Sequence, residues 1–291
     1  MFGELIHEIA APMAGASVPG LHALHAVDAA GVHPLLLAQG SERYVPYAER
    51  RPQELLTIAN ALLGFGQASL AKYLFIIARE DNPELDIHDI AAFFRHLLER
   101  LDPARDLHFQ TRVTMDTLDY TGYGFNEGSK VVFAAAGKKI RALSRKIPGT
   151  LRLPPGFRDP GVALPGAMTL SAPDYGDEKK AERDIRRLLT NLSGQKKSLQ
   201  GFPLIVLTED SEFAARTLNN FLWVTFTRSD PARDVRGAGE SIHNKHWSCE
   251  GPIVIDARRK PFHAPPLEDD PKVLRRVQEL GAAGGSLHGI L

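Results

Sequence analysis

The densest grouping of metal-ligand and nucleophile types is His243-Asn244-Lys245-His246-Trp247-Ser248-Cys249, with His263 further on. Imidazole and thiolate are zinc ligands, and two histidines three residues apart can meet on one side of a turn. Their spacing fits no zinc signature, and the Lys245 ammonium would repel a cation. The segment is therefore expected to be a loop, anchored by Trp247, ahead of a strand at Ile253. Cys249 as a nucleophile lacks an identifiable orienting group. A second group, His22, His25 and Asp28, with His33 following, offers imidazoles and a carboxylate suited to general acid-base work or a metal. Scattered histidines on a loop are more often plain surface residues, and a loop is what this stretch is expected to be. The runs Lys138-Lys139, Lys196-Lys197 and Arg258-Arg259-Lys260 are short, lack interleaved aromatics and read as solvated faces. There is no P-loop, no dinucleotide glycine fingerprint and no Gly-x-Ser-x-Gly elbow. Motif chemistry alone assigns neither a catalytic residue nor a metal site.

The elements that would position these residues read as an α/β layered sheet with flanking helices. His33–Ala38 and Tyr73–Ala78 are continuous apolar runs of buried-strand type. Pro52 opens a helical pattern through Leu55, Leu56, Ala59, Leu62 and Leu63, and Asp86 with Asp89 resembles a capping box for a helix through Ile90, Phe93, Phe94 and Leu97. A third strand starts at Leu107. Prolines and glycines crowd residues 147–176, which are expected to be a connector packed along a surface. A charged helix follows from Glu178, with strands at Leu204–Leu207 and Ile253–Ile255, a last helix from Pro271 to Leu280, and a disordered tail over 282–291.

An internal echo links the blocks 1–146 and 177–281. Phe75-Ile76-Ile77 leads through Glu80-Asp81 and a helix to Asp102-Pro103-Ala104-Arg105-Asp106. Ile205-Val206-Leu207 leads through Glu209-Asp210 and a helix to Asp230-Pro231-Ala232-Arg233-Asp234. Recurrence of the whole order points to a duplicated strand-helix-strand unit.

Composition adds bounds. The chain has 291 residues, with 35 basic against 35 acidic side chains, so it carries no general electrostatic footprint for nucleic acid. One cysteine excludes an intramolecular disulfide and fits a reducing, cytoplasmic setting. No apolar run reaches the length of a membrane span, and the acids of the first residues do not suit a signal peptide.

From Leu62-Leu63-Gly64-Phe65-Gly66-Gln67-Ala68-Ser69-Leu70-Ala71-Lys72, through Glu80-Asp81, Ile87-His88-Asp89, Arg100, Asp102-Pro103, Met115-Asp116-Thr117-Leu118-Asp119 and Gly128-Ser129-Lys130, the chain resembles UbiD-type decarboxylases, the 3-octaprenyl-4-hydroxybenzoate carboxy-lyases, in their C-terminal domain. Residues 1 to about 140 carry this likeness. Phe226-Thr227-Arg228-Ser229-Asp230-Pro231, His246-Trp247, Asp256-Ala257-Arg258 and His263-Ala264-Pro265 resemble the extension of long-form members.

The resemblance implies reversible non-oxidative decarboxylation of an aromatic or unsaturated acid. It also implies prenylated FMN, manganese and potassium as cofactors, and an Arg with two Glu for proton handling. Those residues belong to the family's flavin-binding region, which is not seen here. Asp119-Tyr120-Thr121-Gly122-Tyr123-Gly124 looks like the catalytic Glu segment, but lacks the Pro-Phe-Gly before it and reads as a decoy. The chain is thus expected to be the C-terminal portion or a split subunit of such an enzyme. It would partner a flavin-binding domain, form a homo-oligomer and cover the cleft, with His22 and His25 facing the substrate. The alternative is a non-catalytic assembly or ligand-binding α/β module.

Overall fold

The computed structural model describes residues 2–264 and 270–290. The first half runs α1 (Phe2–Ser17), β1 (Leu21–Ala26), β2 (Leu35–Gly40), α2 (Glu54–Leu62), β3 (Tyr73–Ala78), α3 (Ile90–Arg100), β4 (Leu107–Thr114) and β5 (Glu127–Ala135). The second runs β6 (Arg158–Leu164), β7 (Ala167–Ser171), α4 (Glu178–Ser193), α5 (Lys196–Leu199), β8 (Leu204–Thr208), α6 (Ser211–Arg216), α7 (Leu218–Thr227), α8 (Pro231–Asp234), β9 (Val235–Gly237), β10 (Ser241–His243), β11 (His246–Ser248), β12 (Ile253–Asp256) and α9 (Pro271–Gly281).

Two five-stranded sheets result, ordered β1-β2-β3-β5-β4 and β6-β7-β8-β12-β9. In each, the three central strands are parallel and both edge strands antiparallel. The two halves therefore share strand order and direction, as the repeated Asp-Pro-Ala-Arg-Asp motif suggested.

The continuous apolar runs are explained by burial on both faces. Leu35, Leu37, Tyr73, Phe75, Val131 and Phe133 join Leu204, Val206, Ile253 and Ile255 of the other sheet in one core, filled between by Phe93, Phe94 and Leu97 of α3 and Phe221, Leu222 and Phe226 of α7. The alternate residues Leu36, Ala38, Leu74 and Ile76 pack outward on Leu55, Ile58 and Leu62 of α2 and Ala14 of α1. On the second sheet, Met168, Leu170, Ile205 and Leu207 pack outward on Ile185, Leu188 and Leu192 of α4. The order of layers is helix, sheet, helix, sheet, helix.

Several expectations need correcting. Residues 147–176 are not only connector, because β6 and β7 lie within them. Pro160 is tolerated because β6 is an edge strand with a register shift between Arg158 and Gly161, and β7 contains no proline. The α3 cap is Asp89, which accepts the Ala92 N–H at 2.9 Å, so the helix starts at Ile90. The N-terminus of α2 has no cap of its own. Glu42 supplies one instead, accepting the N–H groups of Gln53, Glu54 and Leu55 at 2.8, 3.1 and 3.1 Å. After α9, residues 282–290 fold back in turns closed by Gly285 N–H to Ala282 O and Leu287 N–H to Leu280 O, with Gly284 at φ 86°. Leu291 of the expected tail lies outside the described residues.

Candidate functional site

Where the two halves meet, residues from four loops and helix ends line a cleft of about 540 Å³, among them Pro34, Asp116, Asp119, Trp223, Arg228, Arg259 and His263. Beneath it lies a seam of buried charge. Lys72 is 2% exposed, placed there because its backbone joins β2 to β5 through His33 O and Val131 N–H. Its ammonium meets the Asp119 carboxylate at 2.6 Å and donates to Thr121 Oγ1 at 3.0 Å. Burial pulls the Lys72 ammonium below the usual lysine range, and Asp119 opposes that pull. The ion pair offsets a desolvation cost of several kcal/mol per ion only because both ends are also hydrogen-bonded.

Beside Lys72, the Tyr73 hydroxyl and Ser229 Oγ lie 2.7 Å apart. Ser229 donates its own proton to Thr225 O at 2.7 Å, so Tyr73 is the donor between them. Burial pushes the phenol well above its ordinary value, so Tyr73 is a fixed donor and not a proton carrier.

Further along, Lys260 pairs with Asp234 at 3.2 Å and donates to Asp256 O and Arg228 O, both at 2.9 Å. Arg258, fully buried, forks onto Asp256 at 2.8 and 2.7 Å and stacks over Tyr175 at 5.3 Å. Burial pushes the Asp234 carboxyl up against the opposing pull of Lys260 and Arg233.

The two repeated motifs adopt one geometry. Asp102 N–H donates to Asp106 Oδ2, and Asp230 N–H to Asp234 Oδ2, each at 2.7 Å. Each arginine folds back on the last aspartate of its motif, Arg105 on Asp106 and Arg233 on Asp234. Burial is the larger influence on Asp106 and raises its carboxyl against Arg105. These acids hold turns; they are not offered to a ligand.

The histidine groups are placed differently from expectation. His22, His25 and Asp28 are not on one loop: the two histidines lie on β1, an unexpected strand, and Asp28 opens the short turn after it. His22, exposed, contacts Ser41 Oγ at 2.7 Å and Arg79 at 3.0 Å. Burial and then Arg79 lower its imidazole. His25, buried, meets Glu8 at 3.1 Å and stacks edge-on to His88. His33 pairs with Asp116.

His243 and His246 are not on a plain loop either. They face each other across the β10–β11 hairpin, whose Asn244-Lys245 turn has φ of 49° and 66° at its two residues. Trp247 does anchor the segment, packing edge-on to Phe109 at 5.4 Å. Cys249 is buried, its thiol pushed up to about 12 chiefly by burial, which removes thiolate character. Among the described residues, no triplet of His243, His246, Cys249 and His263 brings ligand atoms together.

The reading of Arg258-Arg259-Lys260 as a solvated face is overturned for Arg258 and Lys260, which are 0% and 4% exposed. No local signal in the sequence marks Lys72 or Tyr73 for a polar seam, since their side-chain partners lie far along the chain; Asp234 lies in the repeated motif, but its Lys260 partner is also distant. Pro265 lies outside the described residues. Among those described, no helix is long and apolar enough to cross a membrane.

The cleft does not suit a flavin phosphate with its ions. Arg228 and Arg259 are both turned onto Glu209, and Asp116 and Asp119 would repel an anion from the facing wall. Among the described residues, the single cluster of potential metal donors lies away from this cleft, at Glu8, His25 and His88.

The fold and its polar seam define a duplicated two-sheet α/β protein with buried ion pairs inside each half, Lys72–Asp119 in the first and Lys260–Asp234 in the second. Residues 1–135 match the model of the 3-octaprenyl-4-hydroxybenzoate carboxy-lyase C-terminal domain. The chain is 33% identical over 268 residues to an uncharacterised protein of Chlamydia trachomatis, covering 92% of this chain and 42% of that one. It is 32% identical over 282 residues to a 4-hydroxybenzoate decarboxylase subunit of Chlamydia pneumoniae, covering 95% of this chain and 43% of that one. The chain belongs to the UbiD family, as a counterpart of its C-terminal portion. It spans about two fifths of the length of the curated relatives it matches.

Likeness to solved structures is weak. The UbiD-class enzyme HmfF of Pelotomaculum thermopropionicum, solved with FMN, aligns at 15% identity and a TM-score of 0.35 over 53% of this chain and 30% of that one. Vanillic acid decarboxylase of Sedimentibacter hydroxybenzoicus aligns at 15% and 0.37 over 63% and 32%.

Proposed function

We propose that this chain serves as the C-terminal portion or a split subunit of a UbiD-type, prenyl-FMN-dependent (de)carboxylase acting on an aromatic or unsaturated carboxylic acid. The observation that carries the reading is the match, along 95% of this chain, to a protein named as a subunit of a 4-hydroxybenzoate decarboxylase. The geometry agrees with a supporting role. The thiol is inert, Lys72 and Lys260 are paired with carboxylates, and the cleft is unsuited to a flavin phosphate.

The chain's contribution is oligomer contact and cover for the active-site cleft of the flavin-binding part. Apolar surface is available for this. Leu5, Ile9 and Met13 of α1 are 53%, 68% and 62% exposed, and Val273, Leu274 and Val277 of α9 are 58%, 45% and 41% exposed. Exposed apolar stripes at helical spacing mark contact surfaces. Of the two histidines expected to face substrate, His22 keeps that role in this reading, held in place by Ser41 and Arg79; His25 is engaged with Glu8 and His88.

The test is to mix the full chain with the flavin-binding part of a 4-hydroxybenzoate decarboxylase from the same host. Native mass spectrometry and carbon dioxide release are then recorded. A complex carrying a flavin-sized mass, with release faster than from the flavin part alone, is expected. The absence of both binding and a gain in rate would overturn the proposal in favour of a non-catalytic binding module.

A further inference from the structure

Glu8 on α1, His25 on β1 and His88 on the turn before α3 bring three ligand atoms within 4.8 Å of one another. Three separate elements converge there, so local sequence cannot account for the grouping. Glu8 Oε1 lies 3.1 Å from His25 Nδ1, and the two imidazole rings are 4.4 Å apart, edge to face. We infer that this cluster is a zinc-binding site that fastens α1 to the first sheet.

The chemistry fits the ion. Two imidazoles and a carboxylate are a recurrent three-ligand set for zinc, with water completing a tetrahedron. With metal–ligand bonds of about 2.0–2.2 Å, ligand atoms around such an ion stand roughly 3.4 Å apart. The pair from Glu8 and His25 already meets that spacing. The third ligand needs to close by no more than about 1.4 Å from its present limit, within the reach of one side-chain rotation.

The site is also supported unequally, as a docking clamp should be. His25 is 5% exposed, on a strand paired along β2, and so is fixed before the ion arrives. The backbone around His88 is held by its own N–H on Asp86 and by the Asp89 cap, while its ring is exposed and able to turn. Glu8 approaches from a helix that buries Ala14 on the core but leaves Leu5, Ile9 and Met13 in solvent. An ion joining Glu8 to His25 and His88 would add a fixed link between α1 and the first sheet.

The inference is independent of the decarboxylase reading, since it concerns ligands on this chain alone. Its test is calorimetric titration of zinc chloride into the tag-free, chelator-treated 291-residue chain, with magnesium chloride as a control. One equivalent of zinc and no magnesium should bind. His88→Ala, an exposed and tolerable change, and Glu8→Gln should each weaken zinc binding at least about tenfold. His243→Ala, on the distant hairpin, should leave it unchanged. Cobalt should give the visible absorption of a four-coordinate site in the native chain and lose it in His88→Ala. Less than a tenth of an equivalent of bound zinc, or equal affinity in His88→Ala and the native chain, would overturn the inference.

Discussion

Ser129 binds Asp230 across the junction of the repeats and holds the turn that Asp230 opens at a second point. The Ser129 N–H donates to Asp230 Oδ1 at 3.0 Å, and the Ser129 hydroxyl accepts the N–H of Ala232, inside the same motif, at 2.8 Å. The second copy of the Asp-Pro-Ala-Arg-Asp turn is thereby capped by a strand of the first half. The first copy is tied in return, Pro103 O accepting the Cys249 N–H at 3.1 Å. Asp230→Ala should destabilise the fold by about 1–3 kcal/mol, because it orphans the buried Ser129 N–H. Asp230→Asn, which keeps the acceptor, should cost less. Urea unfolding midpoints compare the two, and equal losses would mean that the acceptor does not matter.

Lys72 and Asp119 form a pair that should tolerate joint removal better than single removal. Lys72→Met leaves a buried carboxylate and should cost about 3–5 kcal/mol. Lys72→Met with Asp119→Leu should recover most of that. A double-mutant cycle in denaturant measures the coupling, and strict additivity would contradict it.

His96 should make the protein acid-sensitive. Burial first, then Arg100, pulls its imidazole down to about 4, and its Nε2 is buried without a hydrogen-bond partner. Between the ordinary value near 6.5 and about 4, the unfolded chain binds a proton that the folded chain refuses. Stability therefore falls as pH is lowered through that window and levels off below it. After allowance for solvent screening, the loss is on the order of 1–2 kcal/mol. His96→Leu should flatten this part of the stability-against-pH curve relative to the native chain. His108 and His263, each also near 4, supply the slope that remains.

Cys249 should be inert until the fold opens. With its thiol pushed up to about 12, reaction with a disulfide reagent at pH 8 should run at least about 100-fold slower than in urea. Rapid native labelling would place the thiol in a different environment.

The apolar face of α9 should hold copies together. Val273→Glu with Val277→Glu should lower the native mass toward that of one chain and leave the circular dichroism unchanged. An unchanged mass would assign the contact to another surface.

The central strands were legible because apolar runs such as Tyr73–Ala78 are what a doubly covered strand requires. The repeat was legible because its two motifs do the same capping. By contrast, β1 was hidden because Leu21–Ala26 carries two histidines and reads as a loop. The pair β6 and β7 was hidden by prolines that an edge position tolerates. Glu42 could not be foreseen as the cap of α2, since it precedes the helix by a whole loop. Nor could the buried fates of Lys72 and Lys260, whose carboxylate partners are far off in sequence.

The bond between Tyr73 and Ser229 spans 156 positions, and this sets an order of events during synthesis. At roughly 5–20 residues per second, Tyr73 is synthesised about 8–30 s before its partner serine exists. For that interval Tyr73 and Phe75 wait without the Phe226 ring that later stands 5.0 and 5.7 Å from them. A nascent chain halted in that interval leaves the inner face of the first sheet uncovered, the kind of apolar surface through which incomplete chains aggregate.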